Sequence, residues 1–322
     1  MHKILLTGYS GFVGSHLLNT INSAYALSLL GRTPPKDMDF DFHQSELNEL
    51  SDFSESLTGV NTVIHCAARA HIMNDNSQDP LTEFRKINTH GTVNLAKQAA
   101  STGVKRFIFI SSIKVNGEFT EPGTRFKEDD IFIPTDPYGL SKYEAEVDLR
   151  RIADETGMEV VIIRPVLVYG PGVKANFSSM MKWVKKGLPL PLGGIKQNKR
   201  SLVSIDNLVD FIVTCIEHPN AANQTFLVSD NEDLSTTGLL NSMAIALNVP
   251  NRLIPIPASW FKFSAQLIGK PAIAQRLCGS LQVDISKAKE LLNWTPPYSR
   301  VECMKKTASA FLENLNKRND YE

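Results

Sequence analysis

Apolar residues over the first two-thirds of the chain come in two alternating patterns. Short unbroken runs stand at 3–7 (KILLT), 25–31 (YALSLLG), 61–68 (NTVIHCAA), 106–112 (RFIFISS) and 159–165 (EVVIIRP). Between them lie the longer stretches 12–21, 83–101 and 137–157, where apolar residues recur every three or four positions. Unbroken runs suit strands covered on both faces, and the three-to-four spacing suits amphipathic helices. Their alternation predicts a parallel sheet doubly wound by helices. The helix over 137–157 is punctuated at both ends: Asp136 can cap it, Pro137 suits its first position and Gly157 follows its last turn.

Beyond Pro165 the pattern loosens. The stretches 167–177 (LVYGPGVKANF) and 187–199 (GLPLPLGGIKQNK) read as Gly/Pro-rich loops around a short helix from Ser178 to Lys186. A strand and helix follow over 200–218, a strand over 224–230, and a mainly helical remainder. The expected organisation is an α/β domain over 1–170, rejoined by 201–230. A smaller, mainly helical C-terminal lobe is expected from 171–200 and 231–322.

Composition narrows the class. Of the 322 residues 42% are apolar and 21% charged, ordinary values for a soluble globular chain. Lys and Arg number 34, as do Asp and Glu, so no global basic field points to nucleic acid or an anionic membrane. Cys66, Cys215, Cys278 and Cys303 are scattered without metal-type spacing, which fits reduced thiols. The apolar triplet Ile4–Leu6 is too short for a signal peptide, and no run is long enough to span a bilayer. A cytoplasmic protein without metal, nucleic acid or membrane partner is expected.

The first candidate chemistry lies in KILLTGYSGFVGSHL. Gly8, Gly11 and Gly14 follow the first strand and open the first helix, with Phe12 and Val13 between. Glycine permits a tight turn and close approach of a diphosphate, and the helix N-terminus offers free N–H groups. Dinucleotide binding in a Rossmann-type sheet is the expectation. At the end of the second strand stand Gly31 and Arg32, with no acid to receive a ribose 2′-hydroxyl. This tilts the cofactor, NAD(P), toward NADP(H). Stacking on adenine or solvent exposure is the alternative role for Arg32.

The second candidate is Tyr138 with Lys142, four residues apart on one helix face. An ammonium beside a phenol favours the phenolate. With the glycine loop placed, the chain resembles the extended short-chain dehydrogenase/reductases, in their nucleotide-sugar epimerase/dehydratase branch. The resemblance rests on TGYSGFVG, IHCAA, INTHGTVNL, ISSIKVNGE, YGLSK and IRPVLVYGPG, in that order. It implies Tyr138 as general acid/base, Lys142 as the residue that lowers its pKa and holds the nicotinamide ribose, and Ser112 as hydrogen-bond partner of the reacting oxygen. Ala67, Ala68, Asn88 and Pro165 would line the cofactor site, and Asn88 would shape it. Asn116 stands where a tyrosine is frequent in the family, which bears on the sugar pocket.

On the substrate side the resemblance places Asn176 and Arg200 near a nucleotide-sugar diphosphate, with Arg276 a further candidate. Lys174 and Lys199 read as solvated. His65 and His71 read as structural or loop residues, and Met180, Met181 and Trp183 as core packing. The implied activity is a UDP-sugar 4-epimerase acting on a UDP-hexose or UDP-N-acetylhexosamine. The alternatives are an NADPH-dependent 4-keto-sugar reductase and a non-catalytic dinucleotide-sensing regulator. A homodimer is implied through helices 83–101 and 137–155, whose Ile87, Val93, Leu95, Ala99, Leu140, Val147, Leu149 and Ile152 read as an apolar surplus.

Overall fold

The computed structural model describes residues 1–35, 40–69, 79–267, 269 and 271–319. Its strands are β1 (Lys3–Thr7), β2 (Ala26–Gly31), β3 (Asp41–Gln44), β4 (Thr62–His65), β5 (Arg106–Ile110), β6 (Glu159–Pro165), β7 (Leu167–Tyr169), β8 (Leu202–Ser204) and β9 (Thr225–Val228). Its helices are α1 (Phe12–Ile21), α2 (Pro80–Phe84), α3 (Thr92–Ser101), α4 (Pro137–Thr156), α5 (Ala175–Lys185), α6 (Ile205–Glu217), α7 (Thr236–Ala246), α8 (Ala258–Leu267), α9 (Pro271–Cys278), α10 (Ser286–Leu292) and α11 (Arg300–Asn319). A π-helical segment, Arg85–Gly91, joins α2 to α3.

Seven strands form one sheet in the order β3-β2-β1-β4-β5-β6-β9. Every pairing is parallel. The order reverses between β1 and β4, and a crevice opens at the carboxyl ends of strands at such a point. Alternation within β1 divides the core. Ile4 and Leu6 pack with Leu17, Ile64 and Phe211 on the side of α1 and α6. Leu5 packs with Val63, Phe107, Leu95 and Leu149 on the side of α3 and α4. A third cluster, with Tyr169, Phe177, Met181, Leu240 and Met304, holds the C-terminal lobe.

α4 is capped as the sequence suggests. The Asp136 carboxylate accepts from Gly139 N at 3.1 Å, and Gly157 closes the helix at φ +76°. Other expectations need correction. β3 has the sequence DFHQ, too polar and short to register as a strand; it is an edge strand, where one-sided burial suffices. β7 lies within a stretch that read as loop and pairs only with β8, in a separate two-stranded sheet. Trp183 is half exposed; Met181 alone of its group is fully buried, because Trp183 falls on the opposite face of α5. The apolar surplus is smaller than it read. Leu95, Ala99, Leu149 and Ile152 are buried against the sheet, and only Val147 among the eight is truly exposed.

Candidate active site

The glycine loop is built on contacts that admit no side chain. Gly8 has φ +70°, and a Cβ there would stand 2.5 Å from Ala67 N. A Cβ on Gly14 would stand 2.2 Å from Gly8 O. Gly11 N donates back to Gly8 O at 2.9 Å. Gly11 then caps α1 without a side-chain hydrogen bond, so the first-turn N–H groups of Phe12, Val13 and Gly14 have no cap partner. This cradle of bare backbone at a helix N-terminus, at the switch point, fits a dinucleotide diphosphate.

Ala67 and Ala68 follow β4 beneath the loop, and Ala67 N donates to Thr7 Oγ1 at 3.3 Å. His65 lies below them, fully buried between Thr7 Oγ1 (2.8 Å) and Thr92 Oγ1 (3.0 Å). Burial, with Lys142 nearby, pulls its pKa down to about 3, so the imidazole is neutral and ties β1, β4 and α3 together. His71 lies outside the described residues. No group of three or more metal-type side chains is present among the described residues.

Arg32 is exposed just past β2. The backbone around it is pinned: Gln44 Nε2 donates to Arg32 O at 3.1 Å, and the Tyr9 hydroxyl donates to Thr33 O. Tyr9 covers Gly31, where a Cβ would meet its ring at 2.9 Å. Sequence reasoning passed over Tyr9, which sits between two loop glycines.

Asn88 falls in the π-helical segment. Its Oδ1 accepts from Arg69 N (2.8 Å), and its Nδ2 donates to Arg69 O (3.1 Å) and Ser141 Oγ (3.1 Å). Ser141 Oγ donates in turn to Tyr138 O at 2.8 Å. Asn88 therefore braces the chain after β4 against the first turn of α4. π-Bulges of this kind are frequent at functional sites.

Ser112 faces Tyr138 closely enough for its hydroxyl to act on the phenol. Phe84 packs edge-on to the phenol, with centroids 5.9 Å apart. Burial pushes the phenol up to about 12; the Ser112 hydroxyl opposes this and Asp136 adds to it. Burial is the leading influence on the Tyr138 phenol, and Lys142 is not among the causes of its shift. Lys142 is almost completely buried. Its Nζ donates to Ile110 O at 2.9 Å and lies 4.4 Å from the Phe109 ring centroid. Burial pulls it down to about 8, against the opposing influence of Cys66 and Glu146.

One turn beyond Lys142, Glu146 is fully buried and accepts from Ser111 Oγ (2.6 Å), Arg164 Nε (2.9 Å) and Arg164 Nη2 (2.6 Å). Arg164 Nη1 reaches Asn116 Oδ1 at 2.9 Å and Glu128 O at 3.1 Å. Asn116 Nδ2 donates to Lys127 O. Asn116 thus serves as a buried node of this network. Glu146 and Arg164 were missed in the sequence; the signals were an arginine inside an apolar strand and an acid on the Tyr138–Lys142 face.

Pro165 ends β6 and is buried beside Val228. In the C-terminal lobe Arg200 Nη1 donates to the carbonyls of Arg276 (3.1 Å) and Gly279 (3.4 Å). Burial lowers its pKa. The Arg276 residue itself is exposed on α9. Asn176 is exposed in the first turn of α5, with no side-chain hydrogen bond among the described residues. Lys174 and Lys199 are exposed.

The sequence model of the NAD dependent epimerase/dehydratase family matches residues 4–229, which span the glycine loop, Ser112, Tyr138, Lys142 and β9. The chain belongs to this family. Within the family it is 55% identical over 318 residues to a UDP-glucose 4-epimerase of Vibrio cholerae, covering 98% of this chain and 97% of that one. Two solved epimerases share the fold. One is the UDP-glucuronic acid 4-epimerase of Bacillus cereus in complex with NAD, with TM-score 0.77 and 22% identity over 97% of this chain and 99% of that one. The other is the UDP-glucose 4-epimerase of Thermotoga maritima with UDP-glucose, with TM-score 0.75 and 23% identity over the same shares.

Proposed function

We propose that this enzyme is an NAD(P)-dependent nucleoside-diphosphate-sugar 4-epimerase acting on a UDP-hexose or UDP-N-acetylhexosamine. The observation that carries the reading is the junction of Ser112 and Tyr138 above buried Lys142, next to a glycine cradle that fits a dinucleotide diphosphate. The 55% identity to a UDP-glucose 4-epimerase supports it.

A dinucleotide, when bound, would supply the hydride acceptor and donor and, when oxidised, a positive charge that favours the phenolate. Tyr138 takes the proton of the C4 hydroxyl as the C4 hydride leaves, and returns it when hydride comes back to the other face of the 4-keto sugar. Ser112 donates to the reacting oxygen and steadies its charge. Lys142, Gly8, Gly11, Phe12, Val13, Gly14, Ala67, Ala68 and Pro165 line the cofactor site, and Asn88 braces it. Arg200, Arg276 and Asn176 hold the substrate diphosphate, for which a guanidinium fork is suited.

Exposed Arg32, with no Asp or Glu in the sequence between Leu27 and Lys36, favours NADP(H) over NAD(H) and keeps the 4-keto-sugar reductase as a second reading. Incubation with UDP-glucose, UDP-galactose and their N-acetylated counterparts separates the readings. Interconversion without consumption of reductant supports the epimerase. NADPH oxidation matched to reduction of a 4-keto sugar supports the reductase, and absence of any turnover supports a regulator. Titration of NADH and NADPH tests Arg32: tighter NADH binding by the wild type refutes its role, and Arg32→Asp should reverse an NADPH preference.

A homodimer through α3 and α4 is part of the proposal. That face bears exposed Val147 and a groove of about 1020 Å³ lined by Arg85, Lys86, His90, Glu144 and Asp148. Charges of both signs in one patch suit two-fold self-pairing. A monomeric mass by light scattering at micromolar concentration would count against it.

A further inference from the structure

The chain is neutral overall, yet its charge is unevenly spread. Residues 171–205 hold seven lysines and arginines, residues 234–283 hold four, and neither segment holds an aspartate or glutamate. The fold brings these two acid-free segments together. Leu190 N and Ile254 O belong to one ladder: Leu190 N donates to Arg252 O (3.0 Å), Gly193 N to Ile254 O (2.9 Å), and Ile254 N to Leu190 O (2.8 Å). Arg252 Nη1 also reaches Gly187 O at 3.2 Å.

Apolar side chains emerge from the same ladder and the helices it joins. On α8, Trp260, Phe263 and Leu267 are 73%, 65% and 72% exposed, at spacings of three and four residues. That spacing sets them in one stripe. The opposite side of α8 buries Ala265. Trp183 on α5, Leu188 and Ile254 are each about half exposed. Lys182, Lys185 and Lys186 are exposed around Trp183 without a carboxylate partner among the described residues, and Lys186 Nζ lies 5.5 Å from its ring centroid.

We propose that this face of the C-terminal lobe docks on a bilayer surface bearing anionic headgroups. Trp, Phe and Leu on one side of α8, with a lysine cluster on the segment that the ladder joins to it, combine the apolar and basic features of a segment that lies in the interface plane. Among the described residues no helix is long and apolar enough to cross a membrane, so the contact is peripheral. The substrate diphosphate does not account for the patch: a small anion needs no apolar stripe, and Lys182, Lys185 and Lys186 stand apart from the Arg200–Arg276 junction in sequence and on a different helix from Arg276. A second copy is disfavoured, because two-fold pairing would set the lysines of this face against their own copies.

The test is sedimentation of the full-length protein with vesicles of phosphatidylcholine alone or with 30 mol% phosphatidylglycerol (about that fraction, giving a strongly negative surface). Binding is expected only to the anionic vesicles and should weaken as salt is raised. Trp260→Ser with Phe263→Ser should weaken it at least about tenfold, and Lys185→Glu with Lys186→Glu by about 25-fold or more. Both variants should keep wild-type turnover of a soluble nucleotide sugar and wild-type melting. No binding to anionic vesicles overturns the proposal. So does binding that both double variants retain in full. Self-association of the wild type that the Trp260/Phe263 variant abolishes, without vesicle binding, would assign the face to a second copy instead.

Discussion

The guanidinium of Arg164 and the carboxylate of Glu146 meet side-on, with Nε at 2.9 Å and Nη2 at 2.6 Å, and the pair is buried where α4 crosses β6. Ser111, adjacent to Ser112, and Arg150 Nη2 (2.9 Å) complete the carboxylate's partners, and Lys142 lies one turn away on the same helix. The pair therefore links the strand end that carries Ser112 to the helix that carries Tyr138 and Lys142. Breaking it leaves a buried charge uncompensated. Glu146→Leu should cost about 3–5 kcal/mol of stability, and adding Arg164→Met should recover much of that loss. Urea denaturation of the two single variants and the double variant measures both values. Additive losses would mean that the two side chains are not energetically paired.

The glycine cradle predicts a cofactor defect without a general folding defect. In Gly14→Ala the new methyl would press on Gly8 O, a backbone atom that can yield only if the loop moves. A displacement near 1 Å costs on the order of a hundredfold in a positioned interaction. NADH fluorescence titration should show a loss on that scale. Gly103→Ala serves as the comparison: no atom lies within 4 Å of its Cβ, and only the strain of its φ of +85° is felt. Its stability should fall slightly and its cofactor affinity should not change.

Tyr138→Phe removes the hydroxyl proposed to carry the proton, which Ser112 faces, but keeps the ring against Phe84. Turnover should fall about 10²–10⁴-fold. Cofactor affinity should stay near wild type. Near-wild-type turnover on the best sugar substrate would remove Tyr138 from the mechanism.

Lys142 sets a pH window. Its pKa of about 8 in the folded protein lies below its ordinary value near 10.5 because burial disfavours the ammonium. Between those values the unfolded chain binds the proton more tightly, so raising the pH favours the folded state. Below about pH 8 both states are protonated and the burial cost is felt in full. Wild type should therefore gain stability relative to Lys142→Met as pH rises from 8 to 9, with a flat difference from 6 to 7. Cofactor affinity should move the other way and fall above pH 8, as the ammonium proposed to hold the ribose hydroxyls is lost. Denaturant midpoints and NADH titrations across this range check the two trends.

Arg200→Ala should weaken nucleotide-sugar binding about ten- to a hundredfold, the scale of charge-assisted hydrogen bonds, and leave dinucleotide binding unchanged. Arg200 also holds the carbonyls of Arg276 and Gly279, so a loss could arise from a displaced α9. Arg276→Ala keeps its carbonyl and removes only an exposed side chain. Weakened substrate binding in both variants supports two phosphate contacts. Weakening in Arg200→Ala alone, with lowered melting, would make Arg200 a structural tie.

Local order was legible in the sequence because its causes are local. Unbroken apolar runs become strands buried on both faces, Asp136 and Gly157 bound α4, and the spacing of Gly8, Gly11 and Gly14 follows from backbone clearance. The Tyr138–Lys142 spacing sets both on one helix face wherever that helix lies. Tertiary structure decided what depends on distant neighbours. It decided that β3 pairs at the sheet edge despite a polar sequence, and that β7 and β8 leave the main sheet. It turned Trp183 outward and Leu95, Ala99, Leu149 and Ile152 inward, which helical periodicity alone could not assign once both faces carry apolar residues. It made burial the leading influence on the Tyr138 phenol, because desolvation depends on all that surrounds a group. It also paired Glu146 with Arg164 across 18 residues, and joined two acid-free segments in one ladder, the face proposed above to meet a bilayer. Charge and burial sum over neighbours in space, and a chain of zero net charge shows such a face only when folded.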